Sequence, residues 1–286
     1  MKIRSILSLA FIGCVSTAAF AQAQVEGQDF TTLLAAQGIN PPAKTVPYRY
    51  YMDIRATGTE RDGSDETELP PMSARLHIDP SQPEGSRVRV IEQTSGDGET
   101  AESLREMISE IENDVVSEET HAEEFWCHPD LQDGINSPQT SLADMEIIRE
   151  TAENVWLRPT RDQMATLMSE SEDGSEELSG SDRKMAKKLA KRLDGQLVLS
   201  KPDLQMESLS IAMTRPMTIM IVAKIEEMSA DITCAIAPNG GSYMADFNLR
   251  MAMSAMGEGG AFQMNVKVSG LEALEPVTDN AAFSEE

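Results

Sequence analysis

Residues 228–271 constrain the fold of this chain more than any other stretch. Met228, Ala230, Ile232, Cys234 and Ile236 lie on one face of an alternating run, with Ser229, Asp231, Thr233 and Ala235 on the other. After Pro238-Asn239-Gly240-Gly241 the alternation resumes with Tyr243, Ala245, Phe247, Leu249, Met251 and Met253. After Gly257-Glu258-Gly259-Gly260 it resumes again with Phe262, Met264, Val266 and Val268. Strict period-two alternation marks strands with one buried and one wet face. Asn-Gly and Gly-Gly supply the positive φ angles of tight turns. The stretch predicts a three-stranded antiparallel meander, placed as the closing edge of a larger sheet.

Upstream, Val46–Gly58 alternates with Tyr48, Tyr50, Met52, Ile54 and Ala56 on one face, which predicts a strand. Residues 59–71 are acidic and finish in Pro70-Pro71, which reads as a loop. Strands follow at Ser73–Asp79, with Ala74, Leu76 and Ile78 inward, and at Arg87–Glu92. Met145–Glu150 and Asn154–Arg158 read as a hairpin, and Gln196–Ser200, Leu204–Met213 and Met217–Glu226 as further strands. Helices are expected in three places. Phe30, Leu33 and Leu34 give Val25–Asn40 an apolar face; Leu104, Met107, Ile108, Ile111 and Val115 form a stripe at helical spacing leading toward Trp126; Met185, Leu189 and Leu193 do so in the basic run Asp182–Leu193, which Asp194-Gly195 ends.

About eleven strands with two or three helices predict an α+β, mainly antiparallel fold. The expected form is a large curved, half-barrel-like sheet with the helices packed on one face. Residues 47–275 read as one β-rich domain with helical insertions near 100–126 and 182–194. A helical segment at 22–46 precedes it and a flexible tail at 276–286 follows.

The N-terminus has a basic Lys2 and Arg4, a short apolar run from Ile6 to Val15, and Ala19-Phe20-Ala21. That is the pattern of a secretory signal peptide cleaved near Ala21, and it predicts a periplasmic or secreted protein without a transmembrane segment. Phe11-Ile12-Gly13-Cys14 loosely resembles a lipoprotein processing site, but the well-formed cleavage pattern downstream makes Cys14 an ordinary residue of the apolar run. Cleavage removes two cations and no acids, so the formal charge moves from −24 to −26. So acidic a chain repels nucleic acid and anionic membrane surfaces. The strand count, the export signal and helices able to cover one sheet face together resemble the LolA/LolB type of half-barrel. That resemblance implies an apolar cavity between curved sheet and helical lid that carries acyl chains. It is one of pattern, without a shared motif, and transfers no residues.

No nucleophile elbow, phosphate loop or dinucleotide fingerprint is present in the sequence, and the reading is of a non-enzymatic protein without a cofactor. Cys127 and Cys234 are the cysteines left after processing, and an exported chain with such a pair is expected to form a disulfide. His121, Cys127, His128 and Asp130 cluster in sequence, but without the spacing of a zinc site. Met251-x-Met253-x-x-Met256 offers thioethers that suit Cu(I); on a strand Met256 points away from the other two, so core packing is the default and no metal site is assigned. The candidate ligand-binding residues are Ile232, Phe247, Leu249, Met251, Met253, Phe262 and Met264, on the methionine-rich inner face. An apolar small molecule or lipid is the expected ligand. The alternative is a structural or interaction protein of the cell envelope with a solid core, meeting a partner through its acidic surface or through the basic helix. That helix could equally pair with the acidic residues 170–177 of its own chain.

Overall fold

The computed structural model describes residues 29–36, 48–83, 85–94, 102, 105–109, 111, 127, 142–167, 180–201, 204–220, 223–238, 242–256 and 258–274. Their strands are β1 (Tyr48–Asp62), β2 (Asp65–Ile78), β3 (Val88–Thr94), β4 (Glu146–Glu150), β5 (Asn154–Arg158), β6 (Leu193–Ser200), β7 (Met206–Met213), β8 (Met217–Met220), β9 (Ala223–Ile236), β10 (Ser242–Ala255) and β11 (Glu258–Ala273). The helices are α1 (Phe30–Ala36), α2 (Arg161–Leu167) and α3 (Gly180–Ala190). Residues 105–109 are also helical.

All eleven strands join one sheet in the order β3-β2-β1-β11-β10-β9-β7-β6-β5-β4. β8 pairs with the start of β9, on the same side that β7 occupies further along. Every pairing is antiparallel. The sheet is open, with β3 and β4 at its margins, and is half-barrel-like. The meander β9-β10-β11 is therefore its middle and not its closing edge: β11 pairs with β1, which the sequence places far upstream.

Alternation decides the two faces. Tyr48, Tyr50, Met52, Ile54 and Ala56 of β1 are buried, as are Ala74, Leu76 and Ile78 of β2. Opposed residues in an antiparallel ladder share a face, so the register extends this inner face across the sheet. Ala74, Ile54, Val266, Phe247, Ile232 and Leu209 form one such row. Apart from Ala74, each of these aliphatic or aromatic side chains, when fully buried, contributes about 1.5–3 kcal/mol.

Helices cover the inner face in three places. Met107, Ile108 and Ile111 pack on the cluster around Ile54, Leu76 and Phe247. Phe30 and Leu33 of α1 pack with Val155, Leu157, Leu197 and Leu199. Met164 of α2 and Leu189 and Ala190 of α3 pack with Leu193, Met217 and Ile225.

Several expectations need correction. Residues 59–71 are not a loop: β1 and β2 continue as a long hairpin, turning at Gly63 with φ 58°. Pro70-Pro71 sits in β2, where two residues oppose the single Thr57 between the pairs Ala56–Met72 and Gly58–Leu69. Such a bulge is a position where a strand tolerates proline. Leu193, Asp194 and Gly195 belong to β6 and not to the basic helix, which ends at Ala190. Gly259 and Gly260 are strand residues facing β1, and Met256, in the turn, has a positive φ of 56°. Ile236 is exposed, so it does not extend the buried face of β9. β10 bulges at Ala245, which brings Met244 into the core.

The helix α2 is the element missed by the sequence reading. Its signal is a capping box: the Gln163 amide donates to Thr160 Oγ1 at 3.3 Å, and Gln163 Oε1 accepts from the Thr160 amide at 2.8 Å. The helical run predicted through residues 112–126, the histidine cluster apart from Cys127, and the acidic residues 170–177 lie outside the described residues, as do residues 1–28 and 275–286.

Candidate ligand-binding face

The seven candidate residues all point to the inner face, but two environments divide them. Phe247, Leu249 and Met264 are buried in the core beneath the helical residues 105–109. Ile232, Met251, Met253 and Phe262 are half-exposed. Burial falls along β10 and β11 toward their turn, whereas Ile225 and Met217 beside them are buried under α2 and α3, with Met228 and Met253 packed against that second cluster. Ile232 lies further in, opposite buried Phe247.

Register explains the shape of the half-exposed strip. Met251 lies opposite Met228 on one side and Phe262 on the other. The next row holds Met253 opposite Ile225, and Ile225 opposite Met217. A third row, Leu249–Ala230–Ile211, passes from buried to half-exposed. Met228 and Ile211 therefore belong to the strip although neither was among the candidates. The sequence carries a signal for Met228, which is on the apolar face of its strand; the pairing that sets it against Met251 becomes visible only with the register. Met256 is 82% exposed and leaves the strip at the turn.

Cys127 and Cys234 form the expected disulfide, with Cα atoms 5.9 Å apart. It fastens the chain after the acidic helical region to β9, on the inner face beside Met244.

The outer face is polar and internally paired. Asn248 and Asn265 both donate to Asp246 Oδ1, at 2.9 and 2.7 Å, and Lys267 lies 3.3 Å from its other oxygen. Arg75 stacks over Tyr51, which also meets His77 at 5.0 Å between ring centroids. At the β10 end, Glu226 accepts from Ser254 at 2.9 Å and faces Arg61 and Lys224. The Ser254 hydrogen bond, with the two cations, outweighs burial and holds the Glu226 carboxyl below its ordinary 4.5. Burial pushes the Asp79 carboxyl up, but hydrogen bonds from Ser81 and Gln82 prevail and keep it below 3.8. These acids are held ionised, which suits structural pairing and not proton transfer near neutral pH.

Among the described residues, no group of three or more histidine, cysteine, aspartate or glutamate side chains is placed to hold a metal ion. No helix of the described residues is long and apolar enough to cross a membrane. The chain matches no family model, no curated protein and no solved structure.

Proposed function

We propose that the protein is an exported, non-catalytic binding module that holds an apolar ligand against the half-exposed end of the sheet's inner face. The observation that carries this reading is the strip of Ile232, Met251, Met253 and Phe262, apolar and solvent-accessible beside a closed core. Flexible thioether side chains adapt to ligands of varied shape, and the strip lies between the core cluster and the cluster beneath α2 and α3. The signal-peptide pattern at the N-terminus and the disulfide support an extracytoplasmic site of action. Mass spectrometry of an organic extract from the purified mature chain tests the reading. A stoichiometric apolar compound is expected from the wild type and a smaller amount from Phe262→Glu; equal, trace amounts from both would count against it.

A second reading, an interaction protein of the cell envelope, is favoured by the two sheet margins. Val90 and Ile91 on β3 and Ile147 and Ile148 on β4 are exposed aliphatic pairs on strands that have a free edge among the described residues, and such edges are templates for strand addition. The basic helix α3 presents Lys184, Lys187 and Lys188 to solvent. Pull-downs from envelope extract with Lys187, Lys188 and Lys191 replaced by glutamate test its share, and unchanged partners would remove α3 from this reading.

A further inference from the structure

We infer that Met228, Met251 and Met253 form a site for a soft monovalent cation, Cu(I) or Ag(I), at the half-exposed end of the inner face. Three observations converge. Met228 and Met251 are direct partners across β9 and β10, a relation that sets Cβ atoms about 4.5–5.5 Å apart. Met253 follows Met251 on the same strand and face, about 6.8 Å further along. All three side chains are partly exposed, Met228 and Met253 at the margin of the cluster beneath α2 and α3, so an ion can reach them from the open side and three thioethers, each on a flexible stem, can converge on it.

The chemistry selects the ion. Thioether sulfur is a soft, uncharged ligand that prefers Cu(I) to hard cations such as Mg²⁺ or Ca²⁺. The described residues offer no competing His/Cys/Asp/Glu metal cluster. The two cysteines described are joined in a disulfide, so among the described residues thioethers are the sulfur ligands available. Phe262 lies opposite Met251 on its other side, and an aromatic ring beside a cation adds attraction. The formal charge of −24 raises the local concentration of any cation. Met256, the third methionine of the sequence spacing, is carried into solvent by the turn. Register supplies Met228 instead. This inference is independent of the apolar-ligand reading, since a chain that retains no lipid can still bind the ion.

The test uses the mature, disulfide-bonded protein with Ag(I) as a redox-inert probe, followed by competition for Cu(I) against a chromogenic chelator. One ion per chain is expected. Replacement of Met228, Met251 or Met253 singly by leucine, which preserves volume and apolarity, should weaken binding by at least about tenfold, the scale on which even outer-shell changes act. Met256→Leu should leave affinity unchanged. Circular dichroism confirms that each variant is folded. Absence of binding, or binding that Met228→Leu leaves intact, would overturn the site. Equal loss in Met256→Leu would show scattered surface thioether binding and overturn it too.

Discussion

Lys201 Nζ stands 2.6 Å from Glu150 Oε1, and the same oxygen accepts the Phe30 amide at 2.8 Å. Lys201 is buried, and its own amide donates to Glu153 O. One carboxylate thus joins a buried ammonium on the β6–β7 connection to the start of α1, whose first turn Asp29 also caps through the Thr32 amide. The Lys201 hydrogen bond foremost, then the Phe30 amide, hold the Glu150 carboxyl below 4.5 in spite of burial. A depressed carboxylate contributes stability above its unfolded pKa and loses it as pH falls through the folded value. Denaturant midpoints should therefore drop as pH falls below 4.5, and Glu150→Gln should remove part of that slope. At neutral pH the same substitution should cost about 1.5–3 kcal/mol, the range for a hydrogen bond to a charged group. A variant with the wild-type pH slope would contradict the assignment.

The disulfide between Cys127 and Cys234 spans 107 residues. Closing so long a loop restrains the unfolded chain, an effect of about 2–5 kcal/mol. The double variant Cys127→Ser/Cys234→Ser should lose stability in that range by urea denaturation, and reduction of the wild type should match it.

Arg192 is the reverse case. Its Nε and Nη1 are buried without a hydrogen-bond partner among the described residues, while its carbonyl accepts both the amide and the hydroxyl of Thr214. Burying an unsatisfied polar group costs about 1–3 kcal/mol. Arg192→Met keeps the apolar stem and removes the unpaired donors, so it should raise the thermal midpoint; a fall would show that the guanidinium is favourably placed.

Gly260 has no room for a side chain, since a Cβ there would meet the Thr59 carbonyl oxygen at 2.7 Å. Gly260→Ala must push β11 away from β1 and should cost about 1–3 kcal/mol, as overpacking does. The contrast is Gly63, which has open space but a φ of 58°. There the cost of alanine would be backbone strain alone, about 1–2 kcal/mol. Thermal melts of the two variants compare the mechanisms.

The same glycines show how far the sequence could be read. Where one face is buried and the other wet, as in Tyr48–Ala56 or Phe262–Val268, alternation identifies strand and face together. It fails where both faces are wet: the far halves of β1 and β2 are exposed, so they lack a pattern, and Pro70-Pro71 argues against a strand until the bulge that admits it is known. Asp62-Gly63 was a hairpin signal within those residues. Gly259-Gly260 has the composition of a turn but the role of a close strand approach, which depends on β1, a partner some two hundred residues upstream in the sequence. Long-range pairing is also why the meander's central place was hidden. For the candidate site, the inner face was legible from Met251, Met253 and Phe262, whereas its division into helix-covered clusters and a part-exposed strip between them depends on where the helices lie.

The most direct test of the central claim is equilibrium binding of a hydrophobic fluorescent probe to delipidated protein, wild type against Phe262→Glu and Met251→Glu. A charge on this strip must be desolvated beneath an apolar ligand, whereas at a half-exposed position it leaves the fold intact. The account predicts saturable binding near one probe per chain that both variants abolish, with unchanged circular dichroism. Probe binding that is absent in the wild type, or equal in all three proteins, would contradict it.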